Sequence, residues 1–410
     1  MTLLIVALFA ATTAFTYWLR HINLNHLKQH GSTVPEGFES LVTKETMEKT
    51  SAYTFESSRL GLWESLFDNL LLIAFIFAGL LAVYDSFILL LTGSFILQAI
   101  LFFLILTVLQ TVLEMPFSLY GTFVVEARHG FNKTTPRLWL ADLIKSQLIG
   151  AALISIVLSA IFGLIQWSPG HWWIWVWGFM ATFTLFMMFI SPYLIEPLFN
   201  KFEPVTEEGL EDEIKAMMAK AGLKVGSVMQ MDASKRSGHS NAYFTGIGRV
   251  KRIVLYDTLI KQMTHREIVA VLAHEIGHWR LGHIWKRIVV AEVIAFFASW
   301  CAFSALNWDG LPGLLGYAQL SLPAKMVLLG FIASLIMFPV TPLSAWLSRR
   351  HEYAADNFAK EITADPDALA TALVKLAGEN LSNLHPHPLY ASFYYSHPPV
   401  VERVKMLKNS

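Results

Sequence analysis

Two histidines and a glutamate on one short stretch of the chain have the types and spacing of a metal-dependent hydrolytic site. The stretch is Val271-Leu272-Ala273-His274-Glu275-Ile276-Gly277-His278. Residues four apart on a helix lie on the same face, so His274 and His278 can bind one metal ion. Glu275 projects beside them, where it can take a proton from an attacking water. The spacing therefore predicts a catalytic site of the kind that usually holds zinc.

A catalytic zinc site takes three protein ligands and leaves one position open. We predict Glu352 as the third ligand, with Asp356 one helical turn later. Asp356 is then placed to accept a hydrogen bond from a ligand histidine and fix its tautomer, or to assist proton transfer. His283 does not complete the alternative H-x-x-G-x-x-H extension, because Leu281 and Ile284 occupy the positions of its glycine and last histidine.

The C-terminal segment offers further histidines. His397 stands in Ser396-His397-Pro398-Pro399, and a histidine held beside prolines can donate a hydrogen bond to the oxyanion that develops on a scissile carbonyl. On composition alone, His385 and His387 are equally eligible for this role.

The metal-binding run must be held on a helix, and the start of that helix is recognisable. Thr264-His265-Arg266-Glu267 is a capping box, in which the threonine and glutamate side chains satisfy each other's free backbone donors. Since no Gly-Pro pair follows, we expect the helix to continue into the next apolar span. The preceding polar segment predicts a helix over 207–221, a strand over 228–231 and a hairpin of 242–244 with 252–256, with Gly246–Gly248 as its turn.

Composition assigns these elements to a membrane protein. Of 410 residues, 54% are hydrophobic and 15% are charged, and the mean hydropathy is +0.48, whereas about 25% of residues are charged in soluble domains. The 31 basic and 31 acidic residues balance, which argues against a nucleic-acid partner, and one cysteine excludes a disulfide scaffold.

Apolar runs of about 20 residues can cross a bilayer as helices. We predict seven spans: Met1–Leu19, Asn69–Tyr84 (separated by Asp85 from the next), Ser86–Leu113, two within Ser146–Ile195 on either side of Trp167–His171, Ile288–Trp308, and Met326–Ser348. The first run also has the length of a signal peptide, but no basic residue follows Met1, which disfavours cleavage.

The positive charges predict the orientation. Lys325 lies on one side of the seven spans, and the other 30 of the 31 Lys and Arg residues lie on the opposite side. Because basic loops stay cytoplasmic, we predict an outside N-terminus and cytoplasmic active-site segments. The predicted organisation is transmembrane helices over 1–195, a cytoplasmic module over 196–287, transmembrane helices over 288–348, and a cytoplasmic segment over 349–410 that completes the active site.

The chain resembles the type I (Ste24-type) CAAX prenyl proteases, integral-membrane zinc metallopeptidases of the M48 family. Besides the metal-binding run, the resemblance is carried by Pro116, Glu126-Ala127-Arg128-His129-Gly130-Phe131-Asn132-Lys133, Glu196-Pro197-Leu198-Phe199-Asn200-Lys201-Phe202, Ser237–Phe244, Arg252–Leu259, Glu352–Asp356 and Ser396–Pro399. It implies a mainly α polytopic membrane fold, in which seven transmembrane helices form a barrel around a chamber, with a small α+β cytoplasmic zinc-protease module.

The resemblance also implies roles for single residues. One zinc ion per chain is bound by His274, His278 and Glu352, and Glu275 is the general base. It implies a zinc endopeptidase that resembles the enzymes removing the C-terminal aaX tripeptide from prenylated CAAX proteins.

Further roles come from the same resemblance. Asp356 corresponds to an aspartate that is either an additional catalytic residue or a hydrogen-bond partner of a metal ligand. His397 corresponds to the histidine that stabilises the tetrahedral intermediate. Substrate is expected to add as a β-strand along Asn241-Ala242-Tyr243, with Arg403 near it.

We expect a peptide or protein substrate, a lipid-bilayer environment and a monomer. The chain is short for the family and shows no long insertion or C-terminal retrieval signal, so a bacterial inner membrane is expected, or the endoplasmic reticulum in a eukaryote. Since bacteria generally lack protein farnesylation, prenyl specificity stays open. The alternatives are an HtpX-type quality-control protease, disfavoured by the number of spans, and a transporter or lipid-binding protein with a closed structural zinc site.

Overall fold

The membrane part of the molecule consists of long apolar helices. The computed structural model describes residues 1–245 and 250–409. In those ranges, seven helical stretches are long and apolar enough to cross a bilayer, which confirms the predicted number. They are Thr2–His30, Lys44–Phe77, Phe95–Glu126, Pro136–Trp167, Trp172–Leu198, His283–Leu306 and Leu322–Thr363. Each is longer than the apolar run that predicted it, because the helix continues into flanking polar residues.

Six helices precede the polar segment within the described residues. They are α1 (Thr2–His30), α2 (Lys44–Leu72), α3 (Leu80–Leu91), α4 (Phe95–Tyr120), α5 (Pro136–Trp167) and α6 (Trp172–Leu194). Threonine or serine side chains cap the starts of α2, α4 and α5, each accepting a hydrogen bond from a backbone N–H of the first turn.

The boundary between the second and third spans differs from the prediction. Helix α3 runs through Asp85, because the buried carboxylate accepts hydrogen bonds from the backbone N–H of Ser321, at 2.8 Å, and from its hydroxyl. The breaks lie instead at Gly79, which has a φ of +85°, and before Ser94, which caps α4. The predicted span 86–113 is therefore divided between α3 and α4.

The polar segment folds as an α+β module, as predicted. Its elements are β1 (Phe202–Pro204), α7 (Leu210–Lys220), β2 (Lys224–Met231), β3 (Ala242–Thr245), β4 (Val250–Tyr256), α8 (Asp257–Gln262) and α9 (His265–Arg280). The described strands form a sheet of order β1-β2-β4-β3, in which β2 and β4 are parallel and the other neighbours antiparallel. The predicted β3–β4 pairing is confirmed, whereas the predicted turn at Gly246–Gly248 lies outside the described residues.

Helices α9 and α10 (His283–Leu306) are separate, so the prediction of one continuous helix was wrong. Helix α9 ends at Arg280, and Gly282 has a φ of +70°, a left-handed conformation that glycine adopts without steric cost. The chain therefore turns between the metal-binding run and the sixth span.

The C-terminal part returns to the module. Its helices are α11 (Leu322–Met337), α12 (Thr341–Thr363), α13 (Pro366–Glu379), α14 (Pro388–Tyr394) and α15 (Val400–Asn409). A short 3-10 turn joins α11 to α12, so the seventh span continues as a helix beyond its apolar part.

One apolar core holds α9 among α7, α12 and α13. Leu272 and Ile276 of α9 are fully buried in it, and burial of one such side chain contributes about 1.5–3 kcal/mol. Helices α9 and α12 approach closely at Gly277, where an added Cβ would lie 3.0 Å from the Cα of Ala355. A glycine is needed there, and the close approach brings the polar faces of the two helices together.

Candidate metal centre

Two helices supply the cluster that the sequence singled out. The capping box at Thr264 and Glu267 is formed as predicted and fixes the start of α9, which carries His274, Glu275 and His278. Helix α12 carries Glu352 and Asp356 on the face that packs against α9.

The three predicted ligands meet at one point. The Nε2 atoms of His274 and His278 are 3.3 Å apart. In the carboxylate of Glu352, Oε2 lies 3.3 Å from Nε2 of His274 and Oε1 lies 3.3 Å from Nε2 of His278. One ligand atom from each residue lies within 4.8 Å of the others. Ligand atoms about 2.0–2.1 Å from a shared tetrahedral centre are separated by roughly 3.3–3.4 Å, so two imidazoles and a carboxylate in this arrangement suit zinc.

Behind His274 lies a buried ion pair. The Nδ1 atom of His274 is 2.7 Å from Oδ1 of Asp356. Arg403 of α15 donates to the same carboxylate through Nε, at 2.8 Å, and through a terminal nitrogen, at 2.6 Å. Asp356 has no exposed surface and Arg403 is 6% exposed. The resemblance implied that Arg403 is near the substrate. Its guanidinium is directed towards Asp356 and lies 3.9 Å from Oε2 of Glu352, so it adjoins the cluster of predicted ligands.

The carboxylates favour a positive charge at this place. Burial alone lowers the pKa of His274, but its hydrogen bonds to Asp356 and Glu352 outweigh burial and raise the pKa to about 9. The charge of Arg403 opposes this rise. Two acidic groups therefore stabilise a positive charge at this place, and a bound metal ion would also supply such a charge.

On the other side, His278 contacts a different kind of partner. Its Nδ1 atom is 3.1 Å from Nδ1 of His283, the first residue of α10. The His283 ring stacks on the ring of His351, with the centroids 4.1 Å apart and the planes at 12°. Sequence reasoning considered His283 only as a third ligand and did not anticipate this contact. The glycine before it was the available signal, because a glycine after a helix often marks its end.

Two groups face the accessible side of the cluster. Glu275 is half-buried, and its negative charge helps to raise the pKa of Arg403. His397 is 65% exposed at its side chain, and its Nδ1 lies 2.6 Å from Glu352 Oε2. The other tail histidines are elsewhere, since Nε2 of His385 is 2.7 Å from the carbonyl oxygen of Thr33 and His387 lies against the ring of His26.

The predicted substrate segment forms an edge of the sheet. Strand β3 pairs with β4 through Ala242 and Tyr243 and has no other neighbour among the described strands. It packs beside α9. The Tyr243 hydroxyl donates to Glu196 Oε2 at 2.7 Å, at the end of the fifth span, and burial together with this hydrogen bond raises the pKa of Tyr243, so that it remains a donor.

Two family models together match nearly the whole chain. Residues 23–201 match the model described as the CAAX prenyl protease N-terminal region with five membrane helices. Residues 204–410 match the model of peptidase family M48.

Individual proteins show the same similarity. The chain is 34% identical to the "CAAX prenyl protease 1 homolog" of Arabidopsis thaliana, over 92% of this chain and 90% of that protein. It is 38% identical to the homolog of Oryza sativa, over 77% of this chain and 74% of that protein. The crystal structure of S. mikatae Ste24p superposes with a TM-score of 0.92 at 28% identity and covers 99% of this chain and 98% of that one.

Proposed function

Because the chain belongs to peptidase family M48 and is an integral-membrane zinc metallopeptidase of the CAAX prenyl protease 1 type, we propose that His274, His278 and Glu352 hold one zinc ion per chain. The observation that carries this proposal is the convergence of their ligand atoms within 4.8 Å of one another. When bound, zinc supplies Lewis acidity towards the peptide carbonyl and towards water.

Glu275 is the general base of the proposed hydrolysis. It takes a proton from the attacking water while the water oxygen bonds to the peptide carbon, and it passes that proton to the nitrogen as the C–N bond breaks. Support comes from its place next to His274 on α9 and from the partial exposure of its side chain.

His397 donates a hydrogen bond to the oxyanion. Its exposed ring and its 2.6 Å contact with Glu352 support a position at the open side of the site. Asp356 accepts from His274, and Arg403 acts as a positioning residue for Asp356 rather than as a substrate contact.

Substrate binds as an added strand along Asn241-Ala242-Tyr243, which the free edge of β3 and its packing beside α9 support. The names of the relatives refer to prenylated CAAX substrates, and we extend that substrate class to this chain. The site-bearing residues all come from one chain, which supports a monomer.

The proposed membrane arrangement has an outside N-terminus and a cytoplasmic active site. Its support is the charge distribution, with 30 of 31 Lys and Arg residues on one side of seven spans. The proposed boundary near residue 195 between the first membrane helices and the module agrees with the gap between the two family models at residues 201 and 204. We propose a bacterial inner membrane as the host, or the endoplasmic reticulum if the source is eukaryotic.

The decisive experiment is cleavage of a farnesylated CAAX peptide and of its unprenylated counterpart by detergent-purified protein. Glu275→Gln should retain the metal and lower cleavage by about 10²–10⁴-fold, the usual contribution of a general base. A chelator should abolish cleavage, and Glu208→Gln, an exposed glutamate of the same module, should leave it unchanged.

Cleavage that persists in Glu275→Gln would disprove the mechanism. Equal cleavage of the two peptides would remove the prenylated substrate class and leave a peptidase of unprenylated substrates. Wild-type protein that binds no zinc would contradict the metal site itself.

A further inference from the structure

The His283 side chain contacts both His278 and the helix that carries Glu352. It is 4% exposed, its Nδ1 lies 3.1 Å from Nδ1 of His278, and its ring stacks on His351, which directly precedes Glu352 in α12. One imidazole therefore contacts ligand-bearing segments of two helices.

The contact between the two Nδ1 atoms specifies which nitrogen carries a proton. Nε2 of His278 faces His274 and Glu352, so that nitrogen must be unprotonated to bind a metal. Its Nδ1 then carries the hydrogen and needs an acceptor. Nδ1 of His283 is at hydrogen-bond distance, and it accepts when its own hydrogen is on Nε2.

The turn between α9 and α10 creates this contact. With Gly282 in the left-handed conformation, His283 begins α10 beside the last turn of α9 instead of one helical turn beyond it. A continuous helix would carry residue 283 around the axis away from residue 278, since positions five apart do not share a face. The sixth membrane span thus starts at the metal site.

We propose that His283 is a positioning residue, which accepts the Nδ1 hydrogen of His278 and thereby presents Nε2 of that ligand to the metal. The proposal rests on the proposed zinc site. His283, the first residue of a membrane helix, then has for His278 the role that Asp356 has for His274. Substituting the hydrogen-bond partner of a ligand histidine typically lowers metal affinity or activity by about 10–100-fold.

Three variants of the full-length protein in detergent test the proposal. His283→Phe keeps a ring that can stack on His351 but removes the acceptor. His283→Asn restores an acceptor oxygen near the position of Nδ1. His265→Phe is the matched control, because His265 is also the first residue of a helix and pairs with Glu207 and Glu213 away from the site.

The measurements are the zinc dissociation constant, by competition with a chelating dye, and the visible absorption of the cobalt-substituted protein. We expect His283→Phe to weaken zinc binding by about 10-fold or more and to alter the cobalt spectrum, because the His278 ring loses its orientation. His283→Asn should recover most of the affinity, and His265→Phe should match the wild type.

Unchanged affinity and an unchanged cobalt spectrum in His283→Phe would overturn the proposal. Equal impairment of the Phe and Asn variants would also overturn it, because shape rather than the acceptor would then matter. If His283→Phe does not fold, His283→Leu replaces it, since leucine and asparagine have similar shapes and differ in the acceptor. Wild-type protein without bound zinc would instead refute the proposed function.

Discussion

The proposed metal ligands are supported on two sides by groups of different charge. On the module side, His274 contacts the carboxylate of Asp356, which Arg403 holds through two hydrogen bonds in a fully buried position. On the membrane side, His278 contacts His283, the first residue of the sixth span, and the His283 ring stacks on His351 of α12. The module side thus consists of Asp356 and Arg403, and the membrane side of His283 and His351.

The difference reflects the surroundings of each side. The module side lies in a core formed by α9, α12, α13 and α15, where a buried carboxylate can be paired completely with a guanidinium. The membrane side adjoins the start of α10 and is centred on His283, which is buried. An ionised group without an opposite charge is costly in a buried position. An imidazole can accept a hydrogen bond without carrying a charge, so it fits there.

Arg403→Ala should have the largest effect, because it leaves the Asp356 carboxylate buried without its partner. Breaking a buried pair in this way typically costs about 3–5 kcal/mol of folding stability. Thermal unfolding in detergent measures the loss, with Lys405→Ala, an exposed residue of α15, as the control. A loss as small as that of the control would show that the module side does not depend on charge pairing.

Asp356→Asn should weaken zinc binding by up to about 100-fold, the upper end of the usual range for an outer partner. The amide keeps the shape but removes the negative charge next to His274. Dye competition measures the affinity, and Asp367→Asn, an exposed residue of α13, serves as the control. If His283→Phe weakens binding more than Asp356→Asn does, the membrane side is the stronger support and our comparison is reversed.

Gly277→Ala tests the contact that joins both sides. The added Cβ would lie 3.0 Å from Cα and 3.2 Å from Cβ of Ala355, so α9 and α12 must separate, and overpacking typically costs about 1–3 kcal/mol. Zinc affinity should fall as well, since the ligands are on both helices. Gly378→Ala, whose Cβ would meet only Thr46 at 4.0 Å, should be close to neutral in the same unfolding assay.

Gly282→Ala should have the smallest effect and should act on the membrane side alone. Its φ of +70° costs a residue with a Cβ about 1 kcal/mol. Gly282→Asn should lose less stability, because asparagine tolerates this conformation. Equal unfolding temperatures of the Ala variant and the wild type would indicate that the turn is not under conformational constraint.

Much of the fold follows from local patterns. The number of spans follows from apolar runs of roughly the length that a bilayer needs. The start of α9 follows from a capping box within four consecutive residues. The common face of His274 and His278 follows from helical spacing. These features concern residues close together in the chain, where covalent geometry limits the outcome.

Other features depend on partners that are distant in sequence. Asp85 lies within α3 because Ser321 satisfies its carboxylate, and the sequence alone predicted a break there. Arg403 donates to Asp356, which lies 47 residues earlier in the chain, and no pattern around either residue indicated that pairing.

The sequence by itself therefore determined the class of chemistry, the helix that carries it and the membrane setting, because each depends on short-range spacing or on total apolar length. Only the tertiary structure decided how the ligands are oriented. Hydrogen-bond partners such as His283 and Arg403 are selected by the packing of α10 and α15 against the module, and no local pattern specifies that packing, because it is the sum of many weak contacts between distant segments.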